Sequence, residues 1–267
     1  MAGLALIAGA GALPAALVEA LPERPFIASP EGFAPEGLAV DLSFRLERLV
    51  PFFAELHRQG IDRVCFAGAV QRPRLDPSLF DPATAQLVPR LLAAMAQGDD
   101  ATLREFAALF EEEGLAVLAA HEIAPALVPQ EGLIAGEMST QDRQDATRAA
   151  VITQALGPVD VGQGCVVAGG ICLAVEAIGG TDFMLSQVAA LPAHLRPSAK
   201  GLLYKAPKAG QDLRFDMPTL GPNSVLAAAE AGLGGIVWAA GGVLCLDLPR
   251  MKELAEEKGL FLCARQK

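Results

Sequence analysis

The 267-residue sequence has no basic excess: 21 lysines and arginines stand against 31 aspartates and glutamates, a formal net charge of −10. That balance argues against a nucleic-acid binder, whose affinity comes from neutralising phosphates over a broad basic face. A small anionic ligand in one basic pocket stays open. Paired cysteines are lacking too. Cys65, Cys165, Cys172, Cys245 and Cys263 form no CxxC motif, and four of them sit in apolar runs where a free thiol packs as a small hydrophobe, the pattern of a reducing cytoplasm. The three histidines, His57, His121 and His194, have no metal-ligand spacing, so a zinc site is not expected. No serine stands in a nucleophile elbow, and covalent acyl chemistry is not expected either.

Long uninterrupted apolar runs are also missing. The first 18 residues carry no charge, but they have no basic n-region and are interrupted by Gly3, Gly9, Gly11 and Pro14. They read as buried strand, turn and helix, not as a signal peptide. The stretch from Ala231 to Leu246 is short of a bilayer span and is broken by Gly234, Gly235, Gly241 and Gly242, so no transmembrane segment is expected. What the chain does have is 52% apolar side chains, enough for one large or two modest domains with a substantial core.

The first half alternates short apolar runs with helical periods, the signature of a parallel sheet covered by helices. Strands are expected at Leu4 to Ala8, Phe26 to Ala28, Leu38 to Leu42, Arg63 to Ala67 and Leu115 to Ala119. Helices are expected at Leu13 to Ala20, Phe44 to Gln59, Thr84 to Ala96 and Ala101 to Glu113. A polar stretch without hydrophobic period, Gly136 to Asp145, is the expected linker, dividing an α/β, Rossmann-like N-terminal domain (1–135) from a distinct α+β C-terminal domain (146–267). In that second domain Gly169-Gly170 and Gly241-Gly242 each suggest a tight hairpin turn, and helices are expected at Gln141 to Leu156, Asp182 to Leu191, Ser224 to Ala231 and Pro249 to Lys258.

Four segments carry candidate chemistry. Gly9-Ala10-Gly11-Ala12-Leu13-Pro14 follows a strand and opens a helix, so its backbone N–H groups could meet a phosphate or nucleotide sugar; Pro14 replaces the third glycine of a dinucleotide fingerprint. Packing of a close strand-to-helix turn explains the same glycines. Gly68 to Pro73 sits at a strand's carboxyl end, where open α/β sheets bind ligands, and offers Gln71 and Arg72. Glu176 to Asp182 closes a hairpin strand and starts a helix. Capping accounts for Thr181 and Asp182, but not for Glu176, an acid at the end of an apolar strand. Finally Lys200, Lys205, Lys208 and Arg214 crowd into fifteen residues and lead to Asp216 on an expected short strand before Gly221-Pro222. A carboxylate beside such a cluster could hold Mg²⁺ against a pyrophosphate; a solvated patch of salt bridges is the competing reading.

Taken together, the opening Gly3 to Pro14, the Gly68 to Pro73 segment, Gly98-Asp99-Asp100, Val175 to Asp182 and above all Gly210 to Gly221 resemble one family, from Gly3 to about Cys263. It is the Mg²⁺-dependent UDP-2,3-diacylglucosamine pyrophosphatase family of lipid A biosynthesis, unrelated to the calcineurin-like phosphoesterases with the same activity. The resemblance implies two domains with a ligand cleft between them, Mg²⁺ as cofactor, and hydrolysis of UDP-2,3-diacylglucosamine to UMP and 2,3-diacylglucosamine 1-phosphate. It implies that Asp216 is the essential aspartate. Position and residue type then suggest Asp216 as metal ligand and water-orienting group, and Lys205 as the neutralising cation. Thr181 and Thr219 are read as binding the substrate's phosphates, Asp182 as a further substrate-binding residue, and Gly9, Gly11 and Gln71 as shaping the nucleotide-sugar pocket. Met217 stands where leucine is usual and Gly179 where glutamate is usual. A cytoplasmic protein touching the inner membrane peripherally is expected, with no nucleic-acid partner and a homo-oligomer left open. Two other classes compete: a nicotinamide-dependent oxidoreductase, on the Gly9 to Pro14 turn alone, and a non-catalytic glycolipid carrier.

Overall fold

The computed structural model describes residues 3–70 and 75–266. By packing, the chain divides into two compact units: Met1–Pro125 together with Asp212–Asp216, and Ala126–Gln211 together with Met217–Lys267. Within the polar stretch 136–145, Ser139 caps a helix that begins at Thr140, its hydroxyl accepting from the Asp142 N–H while the Asp142 carboxylate accepts from the Ser139 N–H.

The first unit is built on strands β1 (Gly3–Ala8), β2 (Phe26–Pro30), β3 (Leu42–Phe44), β4 (Ile61–Ala67) and β5 (Ala116–Leu118). They lie in the order β3-β2-β1-β4-β5, and every pairing is parallel. Its helices are α1 (Leu13–Ala20), α2 (Leu49–Arg58), α3 (Pro82–Ala85), α4 (Val88–Met95), α5 (Asp99–Glu112) and α6 (Ala120–Ile123). Leu49, Phe52, Phe53 and Leu56 fall at helical spacing on one stripe of α2, which packs on Ala5, Ile7 and Val64 of the sheet and on Leu109 and Phe110 of α5. Phe53 meets Phe110 edge to face with ring centroids 4.9 Å apart.

Three elements of this unit differ from the sequence reading by more than two residues or in number. The strand expected at Leu38 to Leu42 forms at Leu42–Phe44, because Phe44 stacks on Phe52 with ring centroids 3.9 Å apart and so belongs to the sheet's core face. The helix expected from Phe44 therefore starts later, after a 3₁₀ turn at Leu46–Arg48, and the Thr84 hydroxyl accepts from the Val50 N–H at 3.0 Å to satisfy its first turn. The helix expected over Thr84 to Ala96 is two, α3 and α4. Pro89 brings no N–H and restarts the helix as an N-terminal residue.

The second unit holds β6 (Gly132–Ala135), β7 (Gly164–Ala168), β8 (Ile171–Val175), β9 (Leu202–Lys205), β10 (Thr219–Leu220), β11 (Gly235–Ala239), β12 (Leu244–Cys245) and β13 (Phe261–Arg265), with helices α7 (Thr140–Leu156), α8 (Gly180–Ala189), α9 (Pro222–Glu230) and α10 (Leu248–Lys258). Six strands form a mixed sheet in the order β6-β13-β11-β9-β7-β8. Alternate side chains divide between its faces. Cys165, Val167, Leu202, Tyr204 and Val237 pack with Ala146 and Ala149 of α7, whereas Val166, Leu203, Ile236, Trp238 and Leu262 pack with residues of α8, α9 and α10.

Only one of the two expected hairpins forms. Gly169 and Gly170 take φ of +57° and +80° and join β7 to β8 in an antiparallel pair, as a primed turn requires. Gly241 and Gly242 do not make a hairpin. Only Gly241 of the two has positive φ, and the strand that follows, β12, pairs in parallel with β10 instead of returning along β11. Gly242 is small for another reason: a Cβ there would lie 2.8 Å from the Pro207 ring. The second unit is thus less of a hairpin fold than expected, since β9, β11 and β13 run parallel at its centre.

Candidate active site

Alternation along β9 decides where Lys205 points. Leu202 and Tyr204 face α7, so Leu203 and Lys205 face the side covered by α8, and Lys205 is paired in register with Trp238 on one neighbouring strand and Gly164 on the other. The lysine is only 6% exposed. Its ammonium donates to the Thr181 hydroxyl and lies 3.6 Å from Glu176 Oε1. Since a lysine ammonium has no acceptor, Thr181 must accept from it and turn its own proton elsewhere. That proton goes to Glu176 Oε1, at 2.9 Å. A directed chain results, Lys205 to Thr181 to Glu176, wholly inside the second unit.

The fold makes room for the carboxylate. Gly164, on β7, would with a Cβ come within 3.0 Å of Glu176 Oε2, and at Gly162, with φ of +59°, a Cβ would lie 2.1 Å from the Glu176 carbonyl oxygen. Oε2 is buried and has no hydrogen-bond partner. The capping role expected of Thr181 or Asp182 is not what these residues do: Gly179 occupies the cap position of α8 without a side-chain bond, the Thr181 hydroxyl is engaged with Glu176, and Asp182 is exposed in the first turn. At Gly179 a Cβ would lie 2.4 Å from the Phe183 ring, so glycine there goes with Phe183 folding back over the helix start.

Asp216 sits in a different setting. Residues 213–215 form a turn and Asp216 is half-buried irregular backbone, not strand; the strand begins only at Thr219. Pro218 keeps its predecessor extended, but extension without a partner strand makes no ladder. The segment Asp212–Asp216 packs with the first unit. Phe215 meets Phe66 of β4 with centroids 4.6 Å apart, and Arg214 bonds Asp212 at 2.7 Å and Glu111 of α5 at 2.5 Å. Hydrogen bonds from Arg214 hold the Asp212 carboxyl below its usual range despite partial burial. The basic cluster is accordingly not one patch. Lys205 is buried, Lys208 pairs with Asp160, Arg214 belongs to the first unit, and Lys200 is exposed.

The Thr219 hydroxyl donates to the Met217 carbonyl at 3.1 Å. In the first unit, Gly9 and Gly68 mark a close backbone approach at the carboxyl ends of β1 and β4: a Cβ on Gly9 would lie 2.6 Å from the Ala69 carbonyl oxygen, and Ala10 and Ala69 exchange both backbone hydrogen bonds. Packing therefore accounts for Gly9. Gly11, with φ of +97° and nothing within 4 Å of where a Cβ would stand, faces open space. Gln71 and Arg72 lie outside the described residues. A cavity of about 340 Å³ opens beyond β5, bounded by Val117, Ala119, His121, Glu122, Asp212 and Arg214. Burial pushes the Cys65, Cys165 and Cys245 thiols up to about 12, so none of the three supplies a thiolate near neutrality. Among the described residues no group of three or more histidines, cysteines or carboxylates is arranged to hold a metal, and no helix is long and apolar enough to cross a membrane.

A parallel-sheet unit and a mixed-sheet unit with a buried lysine–threonine–glutamate chain describe a two-part α/β protein, and both parts have counterparts. Residues 3–127 match the LpxI N-terminal domain and residues 130–263 the LpxI C-terminal domain. The chain belongs to the LpxI family. It is 38% identical, over 98% of its length and 97% of the relative's, to the UDP-2,3-diacylglucosamine pyrophosphatase LpxI of Caulobacter vibrioides.

Proposed function

We propose that this chain hydrolyses UDP-2,3-diacylglucosamine to UMP and 2,3-diacylglucosamine 1-phosphate, in lipid A biosynthesis. The observation that carries the reading is the 38% identity, over 98% of the chain, to a relative named UDP-2,3-diacylglucosamine pyrophosphatase. The parallel order β3-β2-β1-β4-β5 supports reading the first unit as Rossmann-like, with Gly9 and Gly11 at the carboxyl edge where the strand order reverses. There they would shape the nucleotide part of the substrate's site.

Cleaving a pyrophosphate requires the charge on its oxygens to be neutralised and a water to be aligned opposite the leaving group. Asp216, half-buried on a segment tied to the first unit, supplies a hard carboxylate oxygen. Mg²⁺ takes one or two protein carboxylates and fills its shell with water and phosphate oxygens, so one aspartate is enough as its protein ligand. Asp216 would hold the ion, which when bound neutralises charge on the diphosphate. Lys205 brings a second positive charge, desolvated, where a contact to a phosphate oxygen is stronger than in water. Thr181 and Thr219 give their protons to Glu176 and to the Met217 carbonyl, so their contribution to phosphate oxygens in this geometry is to hold neighbouring groups in place. Two acyl chains need apolar surface, and Ile178 and Phe183, both exposed beside Thr181 in sequence, offer some. Incubating the chain with UDP-2,3-diacylglucosamine and Mg²⁺ and resolving the products tests the reading: equimolar UMP and lipid phosphate are expected, and intact substrate would refute it.

A further inference from the structure

Among the described residues of the second unit, two carboxylates are buried, and they are treated differently. Asp145 is 0% exposed and fully employed: Oδ1 accepts from the Gly170 N–H at 2.7 Å and the Gln141 amide at 2.9 Å, and Oδ2 accepts from the Gly169 N–H at 2.9 Å. It fixes the β7–β8 turn, and that is a sufficient reason for its burial. Glu176 is 9% exposed, yet only Oε1 has partners, while Oε2 faces the hollow left by Gly164. A carboxylate buried with half its acceptor capacity unused is a net cost to folding. No backbone group of the β7–β8 turn is held by this carboxylate, and the charge it faces is that of Lys205, so the reason for its own charge lies in what it does to Lys205.

We propose that Glu176 is a positioning residue that acts through Lys205 and Thr181 on the hydrolysis of the diphosphate, a reading that rests on the function proposed above. By taking the one proton of Thr181, Glu176 obliges the threonine oxygen to accept from Lys205, and this fixes the direction of the ammonium. One of the three ammonium N–H bonds is spent on Thr181, and two are available for oxygens of an anionic substrate. The carboxylate also balances the buried cation before the substrate arrives, at a distance of 3.6 Å that is close enough for attraction and too long to tie up a second N–H. The two glycines keep side chains away from the carboxylate, so the ion pair is held without being overfilled.

The test compares the full chain with Glu176→Gln, Thr181→Val, Lys205→Met and the double variant Glu176→Gln with Lys205→Met, measuring turnover of UDP-2,3-diacylglucosamine and thermal unfolding. Glu176→Gln, which keeps the shape and loses the charge, is expected to lower kcat roughly ten- to a hundredfold with KM changed by less than about threefold, the signature of an interaction expressed in the transition state. Glu176→Asp, which keeps the charge, is expected to recover part of the loss. In the double variant, turnover is expected to fall no lower than in Lys205→Met alone, while the melting temperature rises above that of Lys205→Met because no unpaired carboxylate remains buried. Full wild-type kcat in Glu176→Gln, or losses that multiply in the double variant, would overturn the proposal. Should Glu176→Gln not fold, Thr181→Val breaks the same chain of hydrogen bonds: a loss of about tenfold or more supports the proposal, and an unchanged rate overturns it. Wild-type chain that releases no UMP would instead remove the functional reading, and the proposal with it.

Discussion

Lys205 and Asp216 are eleven positions apart in sequence and are held by unlike means. Lys205 ends β9, a central strand of the mixed sheet, with paired neighbours on both sides and a buried partner chain in front of it. Asp216 belongs to five residues that pack with the first unit, where Phe215 meets Phe66 and the Arg214 guanidinium bonds Glu111. The lysine is placed by regular structure, and disturbing it disturbs the sheet. The aspartate is placed on irregular backbone and belongs to none of the hydrophobic clusters. Chemistry and stability should therefore separate at Asp216 and travel together at Lys205.

The largest expected effect is on Asp216. Asp216→Ala should lower turnover by on the order of three or more decades while leaving the fold intact, because in the proposed reading it removes the carboxylate that would hold the charge-neutralising metal. Loss of fold along with activity, seen by circular dichroism, would erase the contrast. Lys205→Ala should lower turnover roughly ten- to a hundredfold. It should also reduce the unfolding free energy by about 3 to 5 kcal/mol in denaturant titration, since Glu176 is left buried without its cation. An intact stability would mean that the pair opens to water.

Phe215→Ala tests the tether itself. It should lower kcat about tenfold by loosening Asp216, with about 1 kcal/mol of aromatic pairing lost, and turnover unchanged would show that the Phe66 contact does not position the aspartate. A weaker effect follows from acidity. Arg214 lowers the Asp212 pKa from its ordinary 3.8, so the stabilisation from this pair is complete above about pH 4 and is lost as the pH falls through the lowered value. Amide exchange at Arg214 and Phe215, corrected for intrinsic rates, should quicken as acidification protonates Asp212; protection unchanged once Asp212 is protonated would take this pair out of the tether. Least of all should change with Lys252→Ala. This lysine is exposed on α10, 3.9 Å from Glu256, and both rate and stability should stay within about half a kcal/mol of wild type.

Much of the architecture was legible because local chemistry and global fold agree. Helices expected at Gln141 to Leu156 and Pro249 to Lys258 form as α7 and α10, capped at Ser139 and Asp247, and β1 forms from a charge-free run broken by Gly9 and Gly11. The parallel first sheet was readable from its alternation with helices. Where reading failed, a residue type had two physical uses. Gly241-Gly242 looks like Gly169-Gly170 in sequence, but its second glycine makes way for Pro207 and does not turn the chain back. Asp216 follows a basic, strand-like run, yet its neighbour Phe215 finds its partner in Phe66, some 150 residues earlier, and no periodicity reports such a contact.

The site divides in the same manner. Lys205 was readable as the end of an apolar run, and Thr181 as a polar residue at a helix start. That the two meet, and that Glu176 is what joins them, depends on a sheet register in which Gly164 lies opposite Lys205. Glu176 carried a signal, an acid closing the apolar strand from Ile171 to Val175, but its partner lies twenty-nine residues further on, beyond the reach of any local pattern.

The central claim is that this chain splits a sugar-nucleotide diphosphate with Asp216 at the reacting centre. Steady-state release of UMP from UDP-2,3-diacylglucosamine by wild-type chain and by Asp216→Ala, both shown to be folded, tests it most directly. UMP and 2,3-diacylglucosamine 1-phosphate are predicted in equal amounts from the wild type, with a rate at least about a thousandfold lower from the variant. A variant that keeps more than about a tenth of the wild-type rate, a difference of only about 1.4 kcal/mol in barrier, would contradict it.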